Sequence, residues 1–152
     1  MLQENSSWRL IDFGCAVRDG DVAKPAFTLN FAPPEAILAM SSNGSSTPCP
    51  QHFSADVWSL GVLAFEMITG EFVFPYGSNT DDKKAILRGD VPFPHEANPA
   101  VWKKVGRVRK MVQLMLSRDP LQRPTVFAVS EKLTEMAVAT GATNTGYTSI
   151  CM

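Results

Sequence analysis

The sequence of 152 residues has few cysteines, no long apolar segment and no excess of one charge. Its three cysteines are an odd number without metal-ligand spacing, so neither a disulfide scaffold nor a zinc site is expected. No apolar run approaches the roughly 18 residues of a membrane span, and a signal-peptide pattern is absent. The formal net charge of -1 offers no basic surface to nucleic acid or anionic lipid. We therefore expect an intracellular, cytoplasmic protein with no nucleic-acid or membrane partner.

Helical patterns dominate what the sequence does contain. The strongest helix is predicted over residues 54–70, with Ser54 as N-cap and Gly70 as C-terminal stop. Its apolar side chains cover almost the whole circumference, so other elements must surround it. A short β-hairpin is predicted from residues 1–3 and 8–11, which flank a polar cluster. The remaining segments are predicted as a strand over 15–17, a loop over 18–27, helices over 33–40, 79–88, 108–116 and 125–137, a low-complexity connector over 41–52, and a disordered tail over 138–152.

Four motifs follow one another along the chain. They are LIDFG at 10–14, TLNFAPPE at 28–35, DVWSLG at 56–61 and SRDPLQRPT at 117–125. Together they resemble the C-terminal lobe of a protein kinase domain of the Ser/Thr type. The resemblance covers residues 1–137 and implies a mainly α fold with a small β-hairpin. It implies an activation segment over 12–35 and the central helix of the lobe over 54–70.

The resemblance assigns roles to residues of the activation segment. Asp12 corresponds to the residue that binds the magnesium bridging the ATP phosphates, so ATP and Mg²⁺ are the implied cofactors. Phe13 is similar to the packing switch of this loop, and Gly14 lets the loop turn sharply. Thr28 matches the Thr of the substrate-docking loop. It is also the only Ser, Thr or Tyr between Gly14 and Phe31, so phosphorylation in the middle of the segment has no acceptor.

Other residues are implied to be architectural. Glu35 resembles the Glu of the Ala-Pro-Glu motif, and Arg123 resembles the arginine that pairs with it. Asp56 resembles the aspartate at the start of the central helix that holds the backbone of the catalytic loop. Leu63 and Met67 fall where family members pack beneath nucleotide-binding side chains, although plain core packing explains them equally well.

Two residues have a functional and a simpler interpretation. Cys15 could be a reactive thiol near a nucleotide, but a small buried hydrophobe is favoured because no cationic neighbour is evident. Glu66 could contact a basic substrate residue, but a surface or capping role is favoured. The family's Ala-Pro-Glu is Pro33-Pro34-Glu35 here, and this departure puts fine substrate docking in doubt.

The catalytic residues of the family are missing from this sequence. It contains no glycine-rich phosphate loop, no VAIK-like lysine and no HRD…N catalytic loop. The base Asp and its Asn would lie upstream of residue 1, together with the N-terminal lobe and early helices of the C-terminal lobe. We therefore expect an incomplete domain, inactive alone, with an apolar face of its central helix exposed.

Three interpretations remain open. The chain is a fragment of a Ser/Thr protein kinase, a non-catalytic kinase-like interaction module, or the C-terminal half of a split kinase. The first implies a protein substrate as partner, and the third implies a missing N-terminal kinase half.

Overall fold

A computed structural model describes residues 2–4, 7–9, 11–40, 47–74, 79–89, 91 and 106–139. The described part is mainly helical with two small sheets, as expected for the fold class. Short 3₁₀ turns occur at Phe13–Cys15, Leu29–Phe31 and Pro120–Gln122. The regular elements in chain order are strands β1 (Leu2–Glu4), β2 (Ser7–Arg9) and β3 (Val22–Ala23), helix α1 (Pro34–Leu38), strand β4 (Cys49–Pro50), and helices α2 (Phe53–Thr69), α3 (Asn79–Arg88), α4 (Gly106–Met115) and α5 (Val126–Ala139).

The two sheets differ in how visible they are in the sequence. Strands β1 and β2 pair antiparallel, from Leu2 opposite Arg9 to Glu4 opposite Ser7, which confirms the predicted hairpin. Strands β3 and β4 also pair antiparallel, although the sequence predicted a loop and a connector there. These strands are two residues long and far apart in sequence, so no local pattern indicates their pairing. The strand predicted over 15–17 is wrong, because Phe13–Cys15 forms a 3₁₀ turn.

The central helix α2 begins one residue earlier than predicted. Ser54 lies inside the helix and is not its N-cap, because the helix starts at Phe53. The Phe53 N–H donates to Asp19 Oδ1 at 2.9 Å. A carboxylate from elsewhere in the chain therefore satisfies one of the free amides of the first turn, where a local cap would otherwise be needed. Gly70 ends the helix as predicted, with a left-handed φ of 73°.

The core is built around α2. Trp58, Val62 and Phe65 on this helix are at most 1% exposed. Helix α4 packs against α2, and the segment after α2 contributes the buried residues Val73 and Phe74. The other buried members of this cluster come from α1, α3 and α4 and from the residues that directly follow the Leu29–Phe31 turn and α4, namely Ile37, Ile86, Val112, Ala32 and Leu116.

The remaining helices agree with the sequence pattern except at their ends. Helix α3 ends at Arg88, before Gly89 with its φ of 70°. Helix α4 starts at Gly106, two residues before the predicted boundary, and α5 continues to Ala139, so residues 138 and 139 belong to a helix and not to the tail. The rest of the tail, 140–152, and connector residues 41–46 lie outside the described residues. None of the helices in the described ranges has the length and apolar character to cross a membrane.

Gly61 allows α2 and α4 to approach closely. A Cβ at this position would lie 2.9 Å from the Met115 Cβ and 3.1 Å from two Leu116 side-chain atoms. We expect Gly61→Ala to destabilise the fold by about 1–3 kcal/mol, because the two helices must separate to fit the added methyl group. Chemical denaturation measures the difference. Gly106→Ala is the matched control, because a Cβ there meets nothing within 4 Å. The control should be neutral or stabilising by up to about 1 kcal/mol; equal losses in both variants would contradict the close-packing explanation.

Candidate functional site

Asp12 has an unusual backbone conformation. Its φ of 66° and ψ of 68° are left-handed, and it is the one non-glycine residue with positive φ within the described ranges. Aspartate visits this region more readily than most residues. Strained backbone of this kind tends to occur at functional sites, where surrounding structure maintains it. The 3₁₀ turn at Phe13–Cys15 follows directly, and Asp12 is the residue that precedes it.

A cavity of about 350 Å³ lies between residues 12–36 and the start of α2. Asp12 and Asp56 both line it, as do Asp19, Phe27 and Ser59. Two residues that the resemblance placed in separate roles, Asp12 for metal and Asp56 for the catalytic-loop backbone, therefore border the same space. The arrangement provides acidic and hydrogen-bonding groups around a space large enough for a short peptide segment.

Burial of part of the Asp56 carboxyl raises its pKa above the ordinary value of 3.8. The folded protein then binds a proton at this group more readily than the unfolded chain does. Stability contributed by Asp56 therefore increases as the pH falls through the raised pKa toward 3.8, and it is lost again as the pH rises.

Asp56→Asn tests this pH dependence. We expect the variant to be slightly more stable than the parent at neutral pH, because an amide avoids the cost of a partly desolvated charge. The parent should gain stability relative to the variant as the pH falls, because only the parent has the Asp56 carboxyl, which binds a proton more readily in the folded state. Denaturant unfolding from pH 4 to pH 7 measures both effects, with Asp21→Asn, at an exposed aspartate outside α2, as control. If the stability difference between the parent and Asp56→Asn moves in the parent's favour as the pH rises, the raised pKa of Asp56 is contradicted.

Glu35 and Arg123, 88 residues apart, form a bidentate ion pair. Arg123 Nη1 lies 2.7 Å from Glu35 Oε1, and Nη2 lies 2.8 Å from Oε2. The arginine also donates to the Ser54 carbonyl at 2.8 Å and to the Ser117 carbonyl at 2.9 Å. Its guanidinium lies over the Trp58 ring, 5.1 Å from the centroid. One side chain thereby joins helix α1, which carries Glu35, to the start of α2 and to the loop before α5.

The 3₁₀ turn at Leu29–Phe31, where the resemblance implies a substrate-docking loop, is fixed by two polar side chains that the sequence analysis missed. Buried Asn30 donates from Nδ2 to the Phe74 carbonyl at 3.0 Å. Ser59 on α2 donates from Oγ to the Phe31 carbonyl at 2.9 Å. Thr28 itself is exposed, directly before the 3₁₀ turn. A polar Asn30 between two apolar residues is the one local signal that could have indicated a buried hydrogen bond.

Several side chains differ from their favoured interpretations. Cys15 is exposed, so its interpretation as a small buried hydrophobe is wrong. Met67 is 78% exposed, which contradicts plain core packing for that residue, whereas Leu63 is half-buried. Phe13 is 66% exposed and not docked. Glu66 is half-buried, and its pKa is raised by burial, although the Val73 amide opposes that shift. It is therefore not a simple surface group.

Asp12 offers a single carboxylate for a metal ion. Within the described residues, no three His, Cys, Asp or Glu side chains gather into a possible metal site. Mg²⁺ commonly takes one or two protein carboxylates and completes its coordination with phosphates and waters. The donor set fits a magnesium ion shared with a nucleotide, and does not form a metal site by itself.

Comparison with known proteins gives one family. The model of the protein kinase domain matches residues 1–134. Human MAP kinase-activated protein kinase 5 is 31% identical over 137 residues, which cover 80% of this chain and 28% of that protein. Mouse ribosomal protein S6 kinase alpha-3 is 33% identical over 129 residues, covering 81% of this chain and 16% of that protein. The serine/threonine-protein kinase kin-29 of Caenorhabditis briggsae is 31% identical over 133 residues, covering 83% and 14%. The chain thus spans less than a third of the length of these relatives.

Proposed function

We propose a function for this chain on the basis that it belongs to the protein kinase family. Within that family we assign it to the Ser/Thr kinases, as the part of the C-terminal lobe that carries the activation segment. The complete domain would transfer the γ-phosphate of ATP to Ser or Thr of protein substrates. The observation that supports this most strongly is the cavity bordered by both Asp12 and Asp56.

In this proposal Asp12 holds the magnesium ion of the nucleotide. Bound magnesium neutralises charge that develops on the phosphates during transfer. The left-handed backbone at Asp12 and the 3₁₀ turn that follows it orient the carboxylate toward the cavity lining. The Glu35–Arg123 pair and the Asn30 and Ser59 hydrogen bonds keep the docking loop in place for a protein substrate.

We further propose that the cavity receives the catalytic loop, which supplies the base Asp and the second metal ligand. Asp56 lines this cavity, and a carboxylate there can accept hydrogen bonds from loop backbone amides. Such bonds would offset the desolvation that raises its pKa. The sequence of 152 residues contains no such loop, so in this proposal it comes from elsewhere in the protein or from a second chain.

The exposed apolar side chains favour a partnered state as well. Leu60 is 40% and Met67 is 78% exposed on α2, and Phe13 is 66% exposed beside the cavity. Covering these side chains would stabilise a complex with the missing kinase half. The same surface is the specific reason to retain a non-catalytic interaction module as the second candidate. We propose an intracellular location, because the thiols of Cys15 and Cys49 are free.

A phosphate-transfer assay of the isolated chain tests whether it lacks residues that the reaction needs. We expect the purified 152-residue protein, incubated with radiolabelled ATP, Mg²⁺ and a generic protein substrate, to incorporate no more label than its Asp12→Asn variant. The reason is that positioning and electrostatic stabilisation both need the absent base, lysine and second metal ligand. Turnover by the isolated chain that disappears in Asp12→Asn would show that these residues form a complete site.

A further inference from the structure

The segment just ahead of α2 is bonded to the middle of the activation segment. Strand β4, Gln51 and His52 lie beside residues 19–23, and β4 pairs with β3. We propose that residues 49–53, called the brace below, hold the activation segment against the cavity without any phosphate. Gln51 and Asp19 are the positioning residues, and both line the same cavity as Asp12. The inference rests on the proposed function only in naming residues 12–35 as the activation segment.

Gln51 is the centre of the brace. Its carbonyl accepts from the Gly20 N–H at 2.6 Å, and its own N–H donates to the Asp21 carbonyl at 2.9 Å. Its side-chain Nε2 donates to the Ala23 carbonyl at 3.2 Å and to the Cys49 carbonyl at 2.8 Å. Backbone and side chain of a single residue thus hold the segment at Gly20, Asp21 and Ala23. Gly20 suits a turn, because its φ of 84° is strained for residues with a Cβ.

Asp19 attaches the same turn to the start of α2. Its Oδ1 accepts the Phe53 N–H at 2.9 Å and lies 3.4 Å from His52 Nδ1. The N-terminus of a helix favours negative charge, so the carboxylate is well placed there. The activation segment is therefore connected through one short segment to α2, which contributes Trp58, Val62 and Phe65 to the core.

The brace supplies hydrogen bonds of the kind that a phosphate group supplies in loops ordered by phosphorylation. A phosphorylated loop becomes ordered because the new charge forms additional hydrogen bonds. Here the residues between Gly14 and Thr28 include no Ser, Thr or Tyr. The hydrogen bonds of Gln51 and Asp19 are made by the unmodified chain. We therefore expect residues 19–23 to be ordered in protein that carries no phosphate.

Amide hydrogen exchange of the unphosphorylated full chain tests the brace. In the parent, the amides of Gly20 and Gln51 should exchange at least about ten-fold more slowly than their unprotected rates, because both are hydrogen-bonded. In Gln51→Met, which keeps similar length but removes the side-chain donors, exchange at Gly20 should accelerate by at least about five-fold. The Leu116 amide, bonded to the Val112 carbonyl at the end of α4, should be unaffected. Gln122→Met, at an exposed glutamine, is the matched control.

A second variant uses the cysteines as internal probes. Cys49 lies half-buried in β4 while Cys15 is exposed, so a thiol reagent should label Cys49 more slowly. Asp19→Ala should increase the labelling rate of Cys49 relative to Cys15 by at least about three-fold. Exchange of the parent's Gly20 amide at its unprotected rate would overturn the proposal. So would variants that accelerate exchange equally in α4, or that change neither Gly20 exchange nor Cys49 labelling. Neither measurement involves phosphate transfer, so failure of the brace and failure of the kinase function are separate results.

Discussion

Arg123→Ala should destabilise the protein by about 3–5 kcal/mol, the range found when one partner of a buried ion pair is removed. The arginine side chain is completely buried, whereas the Glu35 side chain is 38% exposed. Most of the lost stability therefore comes from the carbonyl and Trp58 contacts of the arginine, and less comes from Glu35. The Ser54 and Ser117 carbonyls lose charged donors, and the contact with the face of Trp58 disappears.

The exposure of the two partners predicts an asymmetry. Glu35→Gln should cost only about 1–2 kcal/mol, because the amide oxygen still accepts one hydrogen bond and the arginine keeps its bonds to backbone carbonyls. The double variant should cost less than the sum of the single changes, because the two side chains share one interaction. Urea unfolding midpoints measure these differences. Arg107→Ala, at an exposed arginine of α4, should stay within about 0.5 kcal/mol of the parent. Equal losses for Arg107 and Arg123 would show that the contacts of the buried arginine are not a major source of stability.

Local signals in the sequence predicted the helical elements well. Helix α2 has strong helix formers, an all-round apolar surface and a terminal glycine, and the structure places it at the centre of the core. The hairpin is visible because a polar cluster separates two apolar runs. The proximity of Glu35 and Arg123 came from the family resemblance alone, since no local pattern joins residues 88 apart.

Interactions between distant segments were not predictable in this way. The pairing of β3 with β4 involves two-residue strands, too short for a periodic pattern. Ser54 was predicted as the N-cap of α2 because it is a suitable residue at the right place in the sequence. The acceptor that caps the helix is Asp19, which lies 34 residues before Phe53. The exposure of Cys15 and Met67 depends on what covers them, which composition alone does not reveal.

Asp12→Asn should abolish phosphate transfer in a domain that contains the missing residues. Such a domain can be built by replacing the matched segment of human MAP kinase-activated protein kinase 5 with the residues of this chain that align with it. The variant should lose at least about 100-fold in kcat, because even groups that only orient metal ligands contribute about 10- to 100-fold. Asp21→Asn, in the same segment and exposed, should retain the activity of the hybrid.

The activity of this hybrid towards a Ser/Thr peptide is the most direct test of the proposed function. The account predicts a folded hybrid that phosphorylates the peptide with ATP and Mg²⁺, and that loses this activity in Asp12→Asn but not in Asp21→Asn. Cooperative unfolding establishes that each hybrid is folded before the assay. A folded hybrid without transfer, or one in which Asp12→Asn is as active as its parent, would contradict the assignment of Asp12 and its cavity to a kinase active site.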